Sequence, residues 1–236
     1  MTSRRLRTFI EIVGISIAYQ IAIRAASFAI GLISFAQGWE NALAYCVVIV
    51  ICLVLYRVLS GSRAAFSANA VIRAVPICLA STIFLVLLFK GLAQEAPSVS
   101  QAELSLASIA TLTLLAPFAE ELVYRGIVIP RATADFGGAV AVFFSAILFA
   151  VPHVAFPQVV IAFASGLVFG FVFLRCRTIW LPFAMHALVN ASAIVFPSAD
   201  GSIACFAIGS VGVILCLCYL VIQSRKAAYD GGDTYE

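Results

Sequence analysis

Charge is scarce in this chain. Asp, Glu, Lys and Arg make up 11% of the residues against 64% that are hydrophobic, and histidine, methionine and tryptophan occur twice each. A water-soluble domain of this size could not cover its exterior with so little polar side chain, so a soluble fold is excluded. There is no basic groove interleaved with aromatics, and the net charge of +3 does not describe a nucleic-acid partner. The seven cysteines, at 46, 52, 78, 176, 205, 216 and 218, lack the spacing of metal ligands and read as small hydrophobes. The helical His-Glu-x-x-His pattern of zinc proteases is missing. No internal repeat suggests the inverted symmetry of a transporter.

What the chain has instead is apolar length. A membrane-crossing helix needs about 20 mostly apolar residues. Eight such segments are predicted: Phe9–Phe35, Ala42–Leu59, Val75–Ala93, Leu104–Ile129, Gly138–Phe156, Val159–Leu174, Ile179–Phe196 and Ile203–Gln223. The expectation is an all-α, polytopic transmembrane helix bundle of about eight spans. It forms one domain over residues 1–226, followed by a disordered cytoplasmic tail over 227–236 with Gly231, Gly232 and three acids. Charge placement tests the count, because basic residues gather in cytoplasmic loops. Eight spans put Arg4, Arg5, Arg7, Arg57, Arg63, Arg73, Arg125, Arg131, Arg175, Arg177, Arg225 and Lys226 on one side. Only Arg24 and Lys90 fall elsewhere, while Glu40, Glu95, Glu103 and Asp200 lie opposite. Both termini are therefore expected in the cytoplasm. The Arg-rich start reads as a retained first span, since its apolar run is too long for a secretion signal. Gly61–Arg73 reads as an amphipathic helix on the cytoplasmic surface. Gly166 and Gly170 read as a close helix-packing pair.

Against this background two adjacent acids stand out, Glu120 and Glu121, inside the fourth span near its cytoplasmic end. A central charge in a bilayer costs about 2.5–3.5 kcal/mol on insertion scales, so such acids mark function. Neighbouring helical residues point about 100° apart, so the two carboxylates cannot share a direction. Glu121 and Arg125 stand at i and i+4 with the acid first, the favourable order for an ion pair. That pairing leaves Glu120 to face a cavity. Pro117 withholds a backbone hydrogen bond and should kink the helix just before the acids. His153 is expected late in the fifth span, and His186 and Asn190 on one face of the seventh. An acid, two imidazoles and an amide from three spans are best explained by one hydrated pocket. Carboxylate and imidazole can act as general base on water, and imidazole and amide can donate to an oxyanion.

Three motifs in order, Glu120-Glu121 with Arg125, Phe149 with His153, and His186 with Asn190, resemble the CAAX protease and bacteriocin-processing (Abi) family of intramembrane glutamic endopeptidases. Gly166 to Gly170 and Trp180 to His186 are similar to the family's approach to its third motif. The resemblance spans about residues 110–195. It implies a CAAX-protease-like helical fold and metal-independent hydrolysis of a membrane-associated peptide or protein, with no cofactor and the lipid bilayer as surroundings. On that resemblance Glu120 and His153 activate water, His186 and Asn190 form the oxyanion site, and Glu121 and Arg125 support them. The short chain points to a prokaryotic inner membrane. Two other readings are a zinc-dependent membrane metalloprotease using the same acids and histidines, and a non-catalytic scaffold or transporter with a proton relay.

Overall fold

The computed structural model describes residues 2–33, 38–59, 68–92, 105–195 and 202–230, with residues 225–230 described by their backbone alone. All regular structure among these residues is helical. The helices are α1 (Ser3–Gly31), α2 (Glu40–Leu59), α3 (Ala68–Leu92), α4 (Leu106–Phe136), α5 (Gly138–Ala150), α6 (Phe156–Cys176), α7 (Trp180–Val195) and α8 (Ile203–Asp230). Six of them are long and apolar enough to cross a membrane; α5 and α7, with 13 and 16 residues, are shorter. Large apolar side chains such as Phe28, Val58 and Ile203 are exposed, the arrangement of a chain whose solvent is hydrocarbon.

The eight predicted spans thus correspond to eight helices among the described residues, with four differences. First, α5 ends at Ala150 because Pro152 has no N–H for the next rung; the last bond runs from the Val151 N–H to the Ile147 carbonyl at 3.0 Å. Second, the predicted surface helix Gly61–Arg73 does not stand apart: residues 61–67 lie outside the described residues, and Ala68–Arg73 are the first turns of α3. Third, α8 stays helical to Asp230, four residues into the expected tail; residues 231–236 lie outside the described residues.

The fourth helix departs most from expectation. It runs to Phe136 and not to Ile129, which moves the acids from near its end to near the middle of a 31-residue helix. Two π-helical turns explain why it passes its prolines unbroken. Thr111–Leu115 precedes Pro117, and Tyr124–Val128 precedes Pro130. In each turn the bond reaches five residues back, from the Ala116 N–H to the Thr111 carbonyl and from the Ile129 N–H to the Tyr124 carbonyl. The widened turn takes up the proline's missing donor, and such π-bulges occur frequently at functional sites. Here they bracket Glu120 and Glu121.

Around α4 the other helices close in: α1, α2, α5, α6 and α7 all pack on it. The start of α1 and the end of α4 are clasped together. Arg4 Nε lies 2.6 Å from Asp135 Oδ1, Arg5 Nε donates to the Asp135 carbonyl, Thr8 Oγ1 donates to Asp135 Oδ2, and Arg131 pairs with Glu11. The start of α1 and the end of α4 therefore share one end of the bundle, as an even number of crossings between them requires. Small residues set the tightest contacts. Gly166 lies against Ala146 and Gly170 against Val142, so α6 beds onto α5 as the small-xxx-small spacing suggested.

On the far side, α8 runs antiparallel along α3, with Gly91 against Phe206, Gly209 against Leu88 and Gly212 against Phe84. A Cβ at Gly209 would collide with the Leu88 backbone, whereas one at Gly14 on α1 meets nothing within 4 Å. Overpacking of this kind typically costs about 1–3 kcal/mol. Gly209→Ala should accordingly lower the thermal midpoint of the detergent-solubilised protein. Gly14→Ala should hold or raise it, since alanine gains up to about 1 kcal/mol over glycine in a helix. Parallel melting curves of the two variants check both signs.

Candidate active site

Glu121 is fully buried, and its Oε1 is held from two directions. Arg125 Nη1 lies 2.9 Å away, one turn along α4, and His186 Nδ1 lies 3.0 Å away on α7. The expected i, i+4 pair is present, with neither side chain exposed. A buried guanidinium needs more than one carboxylate oxygen, and Arg125 finds it in two ways. Nη2 donates to the Gly166 carbonyl at 3.3 Å. Its planar face stacks over Phe149 at 4.8 Å and Phe169 at 5.4 Å from the ring centres.

The same two rings hold His186. Phe149 stands edge-on to the imidazole at 5.5 Å, and Phe169 lies tilted against it at 5.6 Å. The imidazole is thereby fixed between the two acids, with Nε2 3.6 Å from Glu120 Oε2. A carboxylate only accepts, so the proton between His186 and Glu121 sits on Nδ1 and leaves Nε2 as the nitrogen turned to Glu120. The two acids differ in access. The Glu120 side chain is 17% exposed and that of Glu121 0%. Of the pair, Glu120 alone can meet a water or a substrate.

His153 does not sit on a helix as expected. Pro152 ends α5, and His153 lies half-buried on the connection to α6. Its backbone N–H bonds to the Ala150 carbonyl, and its ring Nδ1 lies 3.1 Å from the Phe149 carbonyl. Phe149 joins the two imidazoles, with its ring centre 5.5 Å from each. Asn190 is on α7 as predicted, one turn after His186. Its amide donates to the Leu112 carbonyl at 2.9 Å. That carbonyl sits in the first π-turn, where its partner five residues on would be Pro117, which has no N–H to give. One amide hydrogen of Asn190 fills the gap and the other is left for a ligand.

Three contributors went unread in the sequence. Phe169 clamps Arg125 and His186 but is one of nineteen phenylalanines. Tyr124, buried, stacks edge-on to Phe149 at 5.4 Å, and its phenol meets Ser16 at 3.1 Å. Ser145 donates to the Tyr124 carbonyl inside the second π-turn. The only prior signal for the turns themselves was the pair of prolines in one apolar run. Arg24 bonds Gln20 through both the backbone carbonyl and the side-chain oxygen, and Glu11 is taken by Arg131.

The molecule is thus an integral membrane helical bundle with two acids on its central helix and the imidazole of His186 from α7 set between them. Residues 102–192 match the family model described as Rce1-like, type II CAAX prenyl endopeptidase Rce1-like, so that segment of the chain is similar to this family. The matched segment runs from the start of α4 through most of α7 and contains Glu120, Glu121, Arg125, His153, His186 and Asn190. No curated protein matches the chain.

Proposed function

We propose that this chain is an intramembrane endopeptidase that hydrolyses a peptide bond in a membrane-associated peptide or protein, with Glu120 as the base. The observation that carries it is the asymmetry of the two acids: Glu121 is locked by Arg125 and His186, while Glu120 faces outward beside His186 Nε2. A partly accessible carboxylate next to a fixed imidazole, deep in an apolar span, suits proton transfer at neutral pH. Glu120 takes a proton from water as the water oxygen bonds to the peptide carbonyl carbon. His153, whose ring packs edge-on to Phe149 at 5.5 Å, assists that deprotonation. The oxyanion forms towards His186 and the second amide hydrogen of Asn190. The C–N bond then breaks, and the proton held by Glu120 passes to the leaving amine. Glu121 and Arg125 keep the His186 ring in place throughout.

Purified chain in lipid nanodiscs, presented with a library of membrane-associated peptides, tests the reading. Cleavage products should form with the wild type and be lost with Glu120→Ala, His153→Ala and His186→Ala. Products that persist in all three variants overturn it, and dependence on a proton gradient without any product favours a proton-relaying transporter.

Among the described residues no group of three or more His, Cys, Asp or Glu side chains is placed to hold a metal ion, and no step above runs through one. Glu121 already spends Oε1 on Arg125 and His186. Hydrolysis should accordingly continue at an unchanged rate in excess EDTA or phenanthroline. Activity that falls with chelator and returns with zinc would favour the metalloprotease instead.

A further inference from the structure

The reaction consumes water, and Glu120 sits near the middle of a membrane-crossing helix. Water must reach it through hydrocarbon. The segment that matches the family supplies the acids and imidazoles, but a row of polar side chains lies outside it, on α1. Ser16, Gln20, Arg24 and Ser27 recur at helical spacing and fall within about 80° of one another around the axis. The lipid-facing side of the same helix carries Ile17, Ile21 and Phe28, which are 55%, 61% and 73% exposed.

Hydrogen bonds link the row in two stretches. At its outer end Ser27 Oγ donates to Asn41 Oδ1 of α2 at 2.6 Å. Arg24 Nη1 bonds Gln20 Oε1 at 3.0 Å. The Gln20 side chain in turn reaches the Tyr124 phenol, which also meets Ser16. Beside them Tyr19 is 5% exposed, stands edge-on to Tyr124 at 6.2 Å and has the half-buried Tyr45 phenol of α2 as a neighbour. Its own hydroxyl, buried, makes no hydrogen bond of normal geometry. An unpaired buried hydroxyl costs about 1–3 kcal/mol, and a water molecule is the simplest partner for it. Glu120 is within electrostatic reach of the Tyr19, Tyr45 and Tyr124 phenols.

We infer that α1 and α2 form a polar track that carries water to Glu120, entering at Ser27 and Asn41 and ending at the hydroxyl of Tyr19. From Ser27 to Ser16 the track is about 16 Å long at the helical rise. It opens at the end of α1 opposite the Arg4–Asp135 clasp. Arg24, a charge otherwise out of place in an apolar span, belongs to this wet face and keeps its mouth polar. The inference rests on the peptidase reading for its purpose, but not for its test.

The full chain in lipid vesicles is used, with Gln20→Cys and Ile21→Cys compared, since these neighbours lie at the same depth and only one is on the track. A charged, water-soluble methanethiosulfonate is added, and modification at each introduced cysteine is read by peptide mass spectrometry, which separates it from the seven native cysteines. Gln20→Cys should react at least about 10-fold faster than Ile21→Cys, and equally so when Glu120→Gln is also present. Equal or slower reaction at position 20 overturns the track, whatever the activity. Tyr19→Phe should lower kcat about 10-fold with KM unchanged, the loss expected for a hydrogen bond to the reacting water. Unchanged kcat in that variant removes Tyr19 from the track's end. A fully active Glu120→Gln would sink the peptidase reading and leave the labelling result standing.

Discussion

Glu120→Gln should lower the rate of peptide hydrolysis by about 10²–10⁴-fold, the range over which a positioned general base acts. The amide keeps the size and shape of the side chain but cannot take the proton of the attacking water. The fold should tolerate the change, because the ion-pair contact of Glu120 among the described residues is to His186 Nε2 at 3.6 Å, and that imidazole is held at its other nitrogen by Glu121. Hydrolysis of a reporter peptide in nanodiscs, run beside a melting curve, separates the two quantities. A collapse in rate with an unchanged midpoint is the expected pair of results.

Arg125→Met should do the reverse, damaging stability first. Removing one member of a buried pair leaves the other charge without its partner, a loss of about 3–5 kcal/mol. Total stabilities run at about 5–15 kcal/mol, so the variant should populate unfolded protein under mild denaturant. The guanidinium also fills the space between Phe149 and Phe169 and caps the Gly166 carbonyl. Methionine replaces the packing but neither the charge nor the donor. The double variant Glu121→Leu with Arg125→Met removes both charges at once and should recover most of the lost stability, since a hydrophobic pair of similar volume often equals a buried ion pair. Activity should not return with it, because His186 loses the carboxylate that sets its Nδ1 proton. Denaturant titration in mixed micelles and hydrolysis assays on the three variants together check this split between stability and function.

The site was legible in sequence to the extent that chemistry is rare in an apolar chain. Two acids and two histidines are conspicuous against so much Val, Leu and Phe, and the i, i+4 spacing of Glu121 and Arg125 foretold their ion pair. Gly166 and Gly170 were read correctly as a packing surface for the same reason, a simple helical period. What escaped was everything that depends on backbone register or on ordinary residues. A π-turn shifts hydrogen bonds by one position without altering hydropathy, so α4 was cut at Pro130 when the second turn carries it on to Phe136. The same argument in reverse misplaced His153: nothing absorbs Pro152, and α5 stops there. Phe169 and Tyr124 became specific only when the fold brought them to Arg125, His186 and Phe149. On α1, Ser16, Gln20, Arg24 and Ser27 passed unread as a group because single polar residues in a span look like exceptions until a neighbouring helix turns them into a lining.

Position on the central helix also accounts for the different roles proposed for the two acids. About 100° of rotation separates them. Glu121 looks into a closed nest of Arg125, His186, Phe149 and Phe169, and Glu120 lies beside His186 Nε2 with its side chain 17% exposed. On the proposed mechanism the fold gives two identical carboxylic acids opposite tasks, structural and chemical, through what surrounds each.

The most direct measurement is comparative peptidomics of cell membranes that contain the wild-type chain, the Glu120→Gln variant or neither. The account predicts peptide products present only with the wild type and missing from the other two to the same degree. Products that appear equally with Glu120→Gln would contradict it, because cleavage would then proceed without the carboxylate on which the whole arrangement turns.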